Sequence, residues 1–95
     1  MFAWDAEKAA RNLRKHGVTF FEPASVFTDS EALDLLDEAH STAERRSWRV
    51  GMSDEGRVLT VVYTARRFED GEAIRIISAR QASRRERAAY ARRED

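Results

Sequence analysis

The sequence contains no cysteine, which excludes a disulfide framework and thiolate metal sites and fits a reducing compartment. Its two histidines, His16 and His40, stand far apart and in no metal-binding spacing, so no metal site is expected. Four scattered glycines build no phosphate loop, and no G-x-S-x-G marks a serine nucleophile. Long apolar runs are also missing. Nothing approaches the roughly 20 residues that a membrane-spanning helix needs. The opening MFAWDAEKAARN carries charges where a secretory signal has its apolar core. These absences lead to the expectation of a cytoplasmic protein with no membrane partner and no cofactor.

What remains is a chain of 95 residues, a length that suits one domain, 1–95. Charged residues make up 36% of it, high for a globular chain, so a partner covering part of the surface is expected. The net charge is zero but unevenly spread. Residues 1–43 hold 4 Lys/Arg against 8 Asp/Glu, and residues 44–95 hold 13 arginines against 9 acids. Arginine presents a planar fork of donors that matches phosphate oxygens. The asymmetry therefore points toward nucleic acid, with a solvated, ion-paired face as the structural alternative.

Residues 1–4 read as a short strand. Asp5 stands at an N-cap position, and a helix follows to Lys15 with Ala6, Ala9, Ala10 and Leu13 as its apolar stripe. Lys15 and His16 lie where cations suit the dipole, and Gly17 suits a left-handed helix end. Thr19 to Glu22 fits a capping box opening a second helix over about 20–27, with Phe20, Ala24 and Phe27 as anchors; Pro23, one turn in, puts its start in question. A strand over 32–36 and a polar loop over 37–45 come next.

From Arg46 the period becomes two, placing Arg46, Trp48, Val50 and Met52 on one face. Arg57–Arg66 is the most strand-like segment, and residues 73–80 return as a third strand after a Gly-containing turn. Ser83 to Glu86 is a second capping box, starting a helix to about Arg92. The fold class is α+β. A small antiparallel sheet, a three-stranded meander plus one or two N-terminal strands, packs with two N-terminal helices and one C-terminal helix on one face.

Pairing in a tight meander sets Arg46, Thr64 and Arg75 side by side, with Arg66 beyond them and Arg80 further along. Cations on adjacent strands repel unless anions or carboxylates intervene. Either a phosphate ligand or neutralisation by Glu44, Glu69 and Glu72 satisfies them. A one-residue slip would move a whole strand's side chains to the other face. His40, in a polar loop, sits where an imidazole titrates near neutral pH. Tyr90 is one helical turn beyond Glu86 and reads either as a core contact with a wet hydroxyl or as a proton donor or stacking group.

The segments FAWDAEKAARNLRKHGVTFFEPASVF, ERRSWRVGMSDEGRVLTVVYTAR and RIISARQASRRERAAY together resemble the BrnT family of bacterial type II toxins, in order and over nearly the whole chain. The resemblance implies a RelE-like fold and a ribonuclease that inhibits translation, acting on RNA either free or on the ribosome. It implies a cognate BrnA-like ribbon-helix-helix antitoxin, with DNA contacted only through the antitoxin complex.

By analogy with RelE-like toxins, the catalytic set is Arg66, Arg80, Tyr90, Lys15 and His16, with Arg46, Arg75 and His40 as RNA contacts. Arg80 is the favoured phosphate contact. The implied chemistry is metal-independent attack of the RNA 2′-hydroxyl on the adjacent phosphorus, with arginine stabilising the phosphorane. Lys15, His16, His40 and Tyr90 all stay open as base or acid. Phe21 and Pro23 depart from the family pattern, and the zero net charge argues against tight RNA binding without the ribosome's help. Two other classes stay open: a nucleic-acid-binding module without catalysis, and a corepressor acting only with its antitoxin.

Overall fold

The computed structural model describes residues 2–38, 45–69 and 71–93. Five strands form one mixed sheet in the order β1-β5-β4-β3-β2. They are β1 (Phe2–Ala3), β2 (Leu33–Leu36), β3 (Arg46–Met52), β4 (Val58–Phe68) and β5 (Gly71–Gln81). Helix α1 spans Ala6–His16, a 3₁₀ helix spans Glu22–Thr28, and α2 spans Arg84–Arg92. The meander and the flanking strands match the expected class. One pairing differs: β1 runs parallel to β5, with Phe2 opposite Ile74 and Ala3 opposite Arg75. A two-residue strand has no pattern from which to read its direction, and only the crossover through the remainder of the chain brings it beside β5.

Helix α1 begins and ends where its sequence signals stand. The Asp5 carboxylate accepts from the N–H groups of Glu7 and Lys8, and Gly17, at φ 71°, takes the left-handed conformation that lets its N–H close on the Leu13 carbonyl. The second helix corrects the expectation. The Thr19 hydroxyl does accept from the Glu22 N–H at 3.3 Å, but the helix is 3₁₀ and starts only at Glu22, with Pro23 at its beginning. That is where a ring with fixed φ and no N–H is tolerated. Glu22 does not reach back to cap; buried, it takes Arg57 at 2.6 and 2.9 Å and the Ser53 hydroxyl at 2.6 Å. Val26 rather than Ala24 is the fully buried anchor.

The helices cover both faces of the sheet rather than one. Val18, Phe20 and Val26 pack on Leu59, Val61, Ile76 and Ala79, side chains of one face. On the opposite face a smaller cluster of Val50, Ala82 and Tyr90 joins α2 to β3. The 3₁₀ side presses closely on β3: a Cβ at Gly51 would lie 2.8 Å from the Ala32 Cβ and 2.9 Å from Val26, so only glycine fits.

Helix α1 is fastened to β5 by Asn12, which is only 7% exposed. Its amide donates to the Val18 and Ala79 carbonyls at 2.9 and 2.6 Å, and its oxygen accepts from the Ala79 N–H at 3.1 Å. The side chain thus stands in for a neighbouring strand along the part of β5 that short β1 does not reach. Asn12→Ala would strand three buried backbone groups. We expect a loss of about 2–3 kcal/mol in chemical denaturation; a loss below about 0.5 kcal/mol would show that water replaces the amide.

Candidate nucleic-acid interface

Strand β5 carries an irregularity that decides which side chains meet. Arg75 lies opposite Thr64 and Arg80 opposite Thr60. The two threonines are four apart and share a face of β4. The two arginines are five apart, and an unbroken strand would send them to opposite faces. Between them Tyr63 pairs with Ile76 and Val62 with Ser78, leaving Ile77 without an opposite residue. This β-bulge returns Arg80 and Ser78 to the face that bears Arg75.

The resulting face is built in rows across the strands. One row is Arg46–Thr64–Arg75, the next is Trp48–Val62–Ser78, and the next is Val50–Thr60–Arg80. Helix α2 packs over the last of these through Val50; in the first row Arg75 is exposed and Arg46 half-buried, with Thr64 buried between them. Beyond the first row Arg66 lies opposite Ala73. Thr64, Arg66 and Arg75 line a hollow of about 280 Å³ floored by Ala3, Ala73 and Ile74. The register expected for Arg46, Thr64 and Arg75 is thus the observed one, with Arg66 beside it. Arg66 and Arg75 are exposed, and Arg75 makes no ion pair among the described residues.

A second hollow, of about 370 Å³, lies on the other side of β5. Lys8, Arg11, Asn12, Lys15 and His16 of α1 face Ile77 and Ser78 across it. Lys15 and His16 therefore flank the bulge, and Ser78 belongs both to this hollow and to the Trp48 row.

Arg80 and Tyr90 are placed differently. Arg80 meets Glu86 end-on, with its two terminal nitrogens 2.7 and 2.9 Å from the two carboxylate oxygens. Glu86 also takes the Thr60 hydroxyl and the Ser83 N–H, each at 2.8 Å, and completes the capping box of α2. The Arg80 guanidinium, ahead of the cap and Thr60, holds the Glu86 carboxyl down at about 2. With its side chain 36% exposed, Arg80 joins the open face only by its rim, and its fork is already filled.

Tyr90 is 8% exposed and donates its hydroxyl to Asp29 at 2.6 Å, while the Arg93 guanidinium lies 3.9 Å from its ring centre. Burial and the Asp29 carboxylate push the phenol upward from its ordinary value, the wrong direction for a proton donor. It packs in the Val50 cluster, four residues and so about 13 Å along β3 from Arg46. The structure does not bring Tyr90 to Arg66 and Arg75.

Other arginines are also committed to the fold. Arg49 donates to the Val26 and Asp29 carbonyls, each at 3.1 Å, and pairs with Asp34; Arg57 holds Glu22. His40 and Glu44 lie outside the described residues. Among the described residues no group of three or more His, Asp or Glu comes together to hold a metal ion, and no helix is long and apolar enough to cross a membrane.

Three side chains of this surface were not among the expected site residues. Trp48, half-buried with its indole N–H on Asp37 at 3.1 Å, shares the open face with Arg46; the alternation Arg46-Ser47-Trp48 already signalled that. Lys8 and Arg11 carry the spacing of one helical face with Lys15, a signal present in the sequence but not tied to β5 until Asn12 is seen to fix the helix.

A family model described as the ribonuclease toxin BrnT of type II toxin–antitoxin systems matches residues 4–86. The crystal structure of the Brucella abortus ribonuclease toxin BrnT superimposes with a TM-score of 0.61, covering 88% of this chain and 99% of that one at 24% identity; at that identity the likeness speaks for the fold. No curated protein sequence matches. With the family match running from α1 through β2, β3, β4 and β5 to the first turn of α2, the chain belongs to the BrnT family of ribonuclease toxins of type II toxin–antitoxin systems.

Proposed function

We propose that the chain cuts single RNA linkages held over the Arg46–Thr64–Arg75 row, by a reaction that uses no resident metal ion. The 2′-oxygen attacks the adjacent phosphorus and loses its proton. The bond from phosphorus to the 5′-oxygen breaks, and that oxygen takes up a proton. The products are a 2′,3′-cyclic phosphate and a free 5′-hydroxyl. The observation that carries this reading is the gathering of Arg66 and Arg75 at one solvent-facing hollow, with Arg46 in register beside it. Fixed guanidinium charge aimed at the developing phosphorane oxygens is stabilising where it is pre-positioned.

Arginine is a poor base, so we assign proton transfer to Lys15 or His16, which flank the bulge, with His40, outside the described residues, the remaining candidate. Arg80 then serves chiefly to seat α2, and Tyr90 to anchor it. Trp48 offers a ring for a flanking base. The partner we infer is a small BrnA-like ribbon-helix-helix antitoxin, through which the complex would reach DNA, and the setting is the cytoplasm.

The test is incubation of the purified protein with RNA in EDTA, with and without translating ribosomes, and with mass analysis of the ends. Cyclic phosphate termini, and no cut at a linkage whose 2′-hydroxyl is replaced by hydrogen, are expected. Cleavage of the 2′-deoxy linkage, or activity abolished by EDTA, would refute the mechanism. Retention of RNA without cutting in either setting would favour the binding-module reading.

A further inference from the structure

Helix α1 carries a stripe of three cations, of which the proposed chemistry uses only Lys15. Lys8, Arg11 and Lys15 stand at i, i+3 and i+7, one face of the helix. Asn12 fixes that face against β5 through its three hydrogen bonds to the Val18 and Ala79 backbone. All three cations line the hollow that Ile77 and Ser78 close from the strand side.

Like charges three and four apart on a helix repel by a few tenths of a kcal/mol each. Cations near a C-terminus are favoured by the dipole, but Lys8 lies in the first turn and Arg11 at the middle of the helix, where that help is absent. Among the described residues none of the three makes an ion pair. The Asp5 carboxylate, which feels the charge of Lys8 and Arg11, is already taken up by the N–H groups of Glu7 and Lys8, and Glu7, one turn before Arg11, is a single carboxylate against three cations.

We infer that this groove is a second RNA subsite, in which the sugar–phosphate backbone of a single strand leaving the Arg66–Arg75 hollow passes over the β5 bulge and runs along Lys15, Arg11 and Lys8. The inference rests on the ribonuclease reading for its ligand but not on any catalytic step. The stripe is about 10 Å long, room for a short run of phosphates rather than one. The strip is one strand and one helix edge wide, which suits a single strand and not a duplex. Ile77, pushed toward this hollow by the bulge, gives an apolar contact at the crossing point. Ser78, common to the two sides, supplies a hydroxyl there.

The experiment measures binding of a fluorescent 2′-O-methyl RNA 12-mer, which cannot be cut by 2′-oxygen attack, as a function of salt. For single strands log K falls with log salt by about 0.7 per phosphate neutralised. The Lys8→Ala/Arg11→Ala double variant is expected to lower that slope by about 1.4 and to weaken binding at least tenfold at low salt. An Arg14→Ala/Arg85→Ala control, which removes two exposed cations that do not line the groove, should keep the parent slope. Duplex RNA should compete poorly.

An unchanged slope in Lys8→Ala/Arg11→Ala, an equal loss in the control, no binding by the parent protein, or equal competition by duplex would each overturn the subsite. Cleavage of unmodified RNA is scored separately. A parent that binds with the expected slope loss but never cuts would leave the groove standing and remove the ribonuclease reading. One that cuts with the slope unchanged in the variant would do the reverse.

Discussion

Arg75→Ala is expected to fold as well as the parent and to cleave RNA about 10²–10³-fold more slowly. The fold should be indifferent because Arg75 is exposed and makes no ion pair among the described residues; surface changes of that kind usually move stability by no more than about 0.5 kcal/mol. Activity should not be indifferent, because Arg75 shares a hollow with Arg66 and lies in register with Thr64 and Arg46. In the proposed reaction, removing its charge takes away a donor for the oxygens where negative charge develops.

Arg66→Ala should slow cleavage alike, and the pair of changes should cost less in rate than the sum, since residues acting on one phosphate are not additive. Arg75→Lys should recover only part of the rate, because a point charge lacks the fork that grips two phosphate oxygens. Single-turnover cleavage read beside thermal melting checks this. Rates within threefold of the parent for both alanine variants would remove the hollow from the chemistry.

The second large effect concerns stability. Glu86→Gln is expected to lower unfolding free energy by about 2–4 kcal/mol at neutral pH, because it leaves the Arg80 charge half-buried without its partner. The pH dependence has a definite sign. The Glu86 carboxyl is held at about 2 in the folded chain, well below the ordinary value near 4.3. A depressed carboxyl contributes stability above its unfolded value and loses it as pH falls through the folded one. The gap between parent and Glu86→Gln should therefore be full above about pH 5 and close progressively toward pH 2. Denaturation across that range is the measurement, and a gap that stays constant with pH would refute the assignment. A consequence follows for Arg80. Lost cleavage in Arg80→Ala means little for chemistry until its melting has been compared with that of Glu86→Gln.

The sequence was most readable where the cause is local. Asp5 and Gly17 bound α1, and Ser83 with Glu86 starts α2, because caps act on backbone groups within a few residues. The meander was readable because its turns are tight, and the row Arg46–Thr64–Arg75 followed from that. What escaped depends on contacts between distant parts of the chain. The bulge at Ile77 exists because Ile76 and Ala79 both belong to the core while Arg75 and Arg80 share the other face, and no local signal in RIISAR announces it. Tyr90 finds Asp29 across 61 positions; a core contact with a polar hydroxyl was one of the two readings open for it, but no local signal names that partner. Arg80 and Glu86 were each noticed, but as a phosphate contact and a cap; only the geometry shows that the two roles share one carboxylate.

The unmatched isoleucine of β5 works as a change of phase within a single strand. Upstream of it the polar side chains keep step with the hairpin that ends at Gly71; downstream they keep step with the helix that begins at Arg84. A shortened strand lacking that one position would have to give up either its packed interior or its charged exterior. Deletion there should thus be far more damaging than any point substitution at the same place.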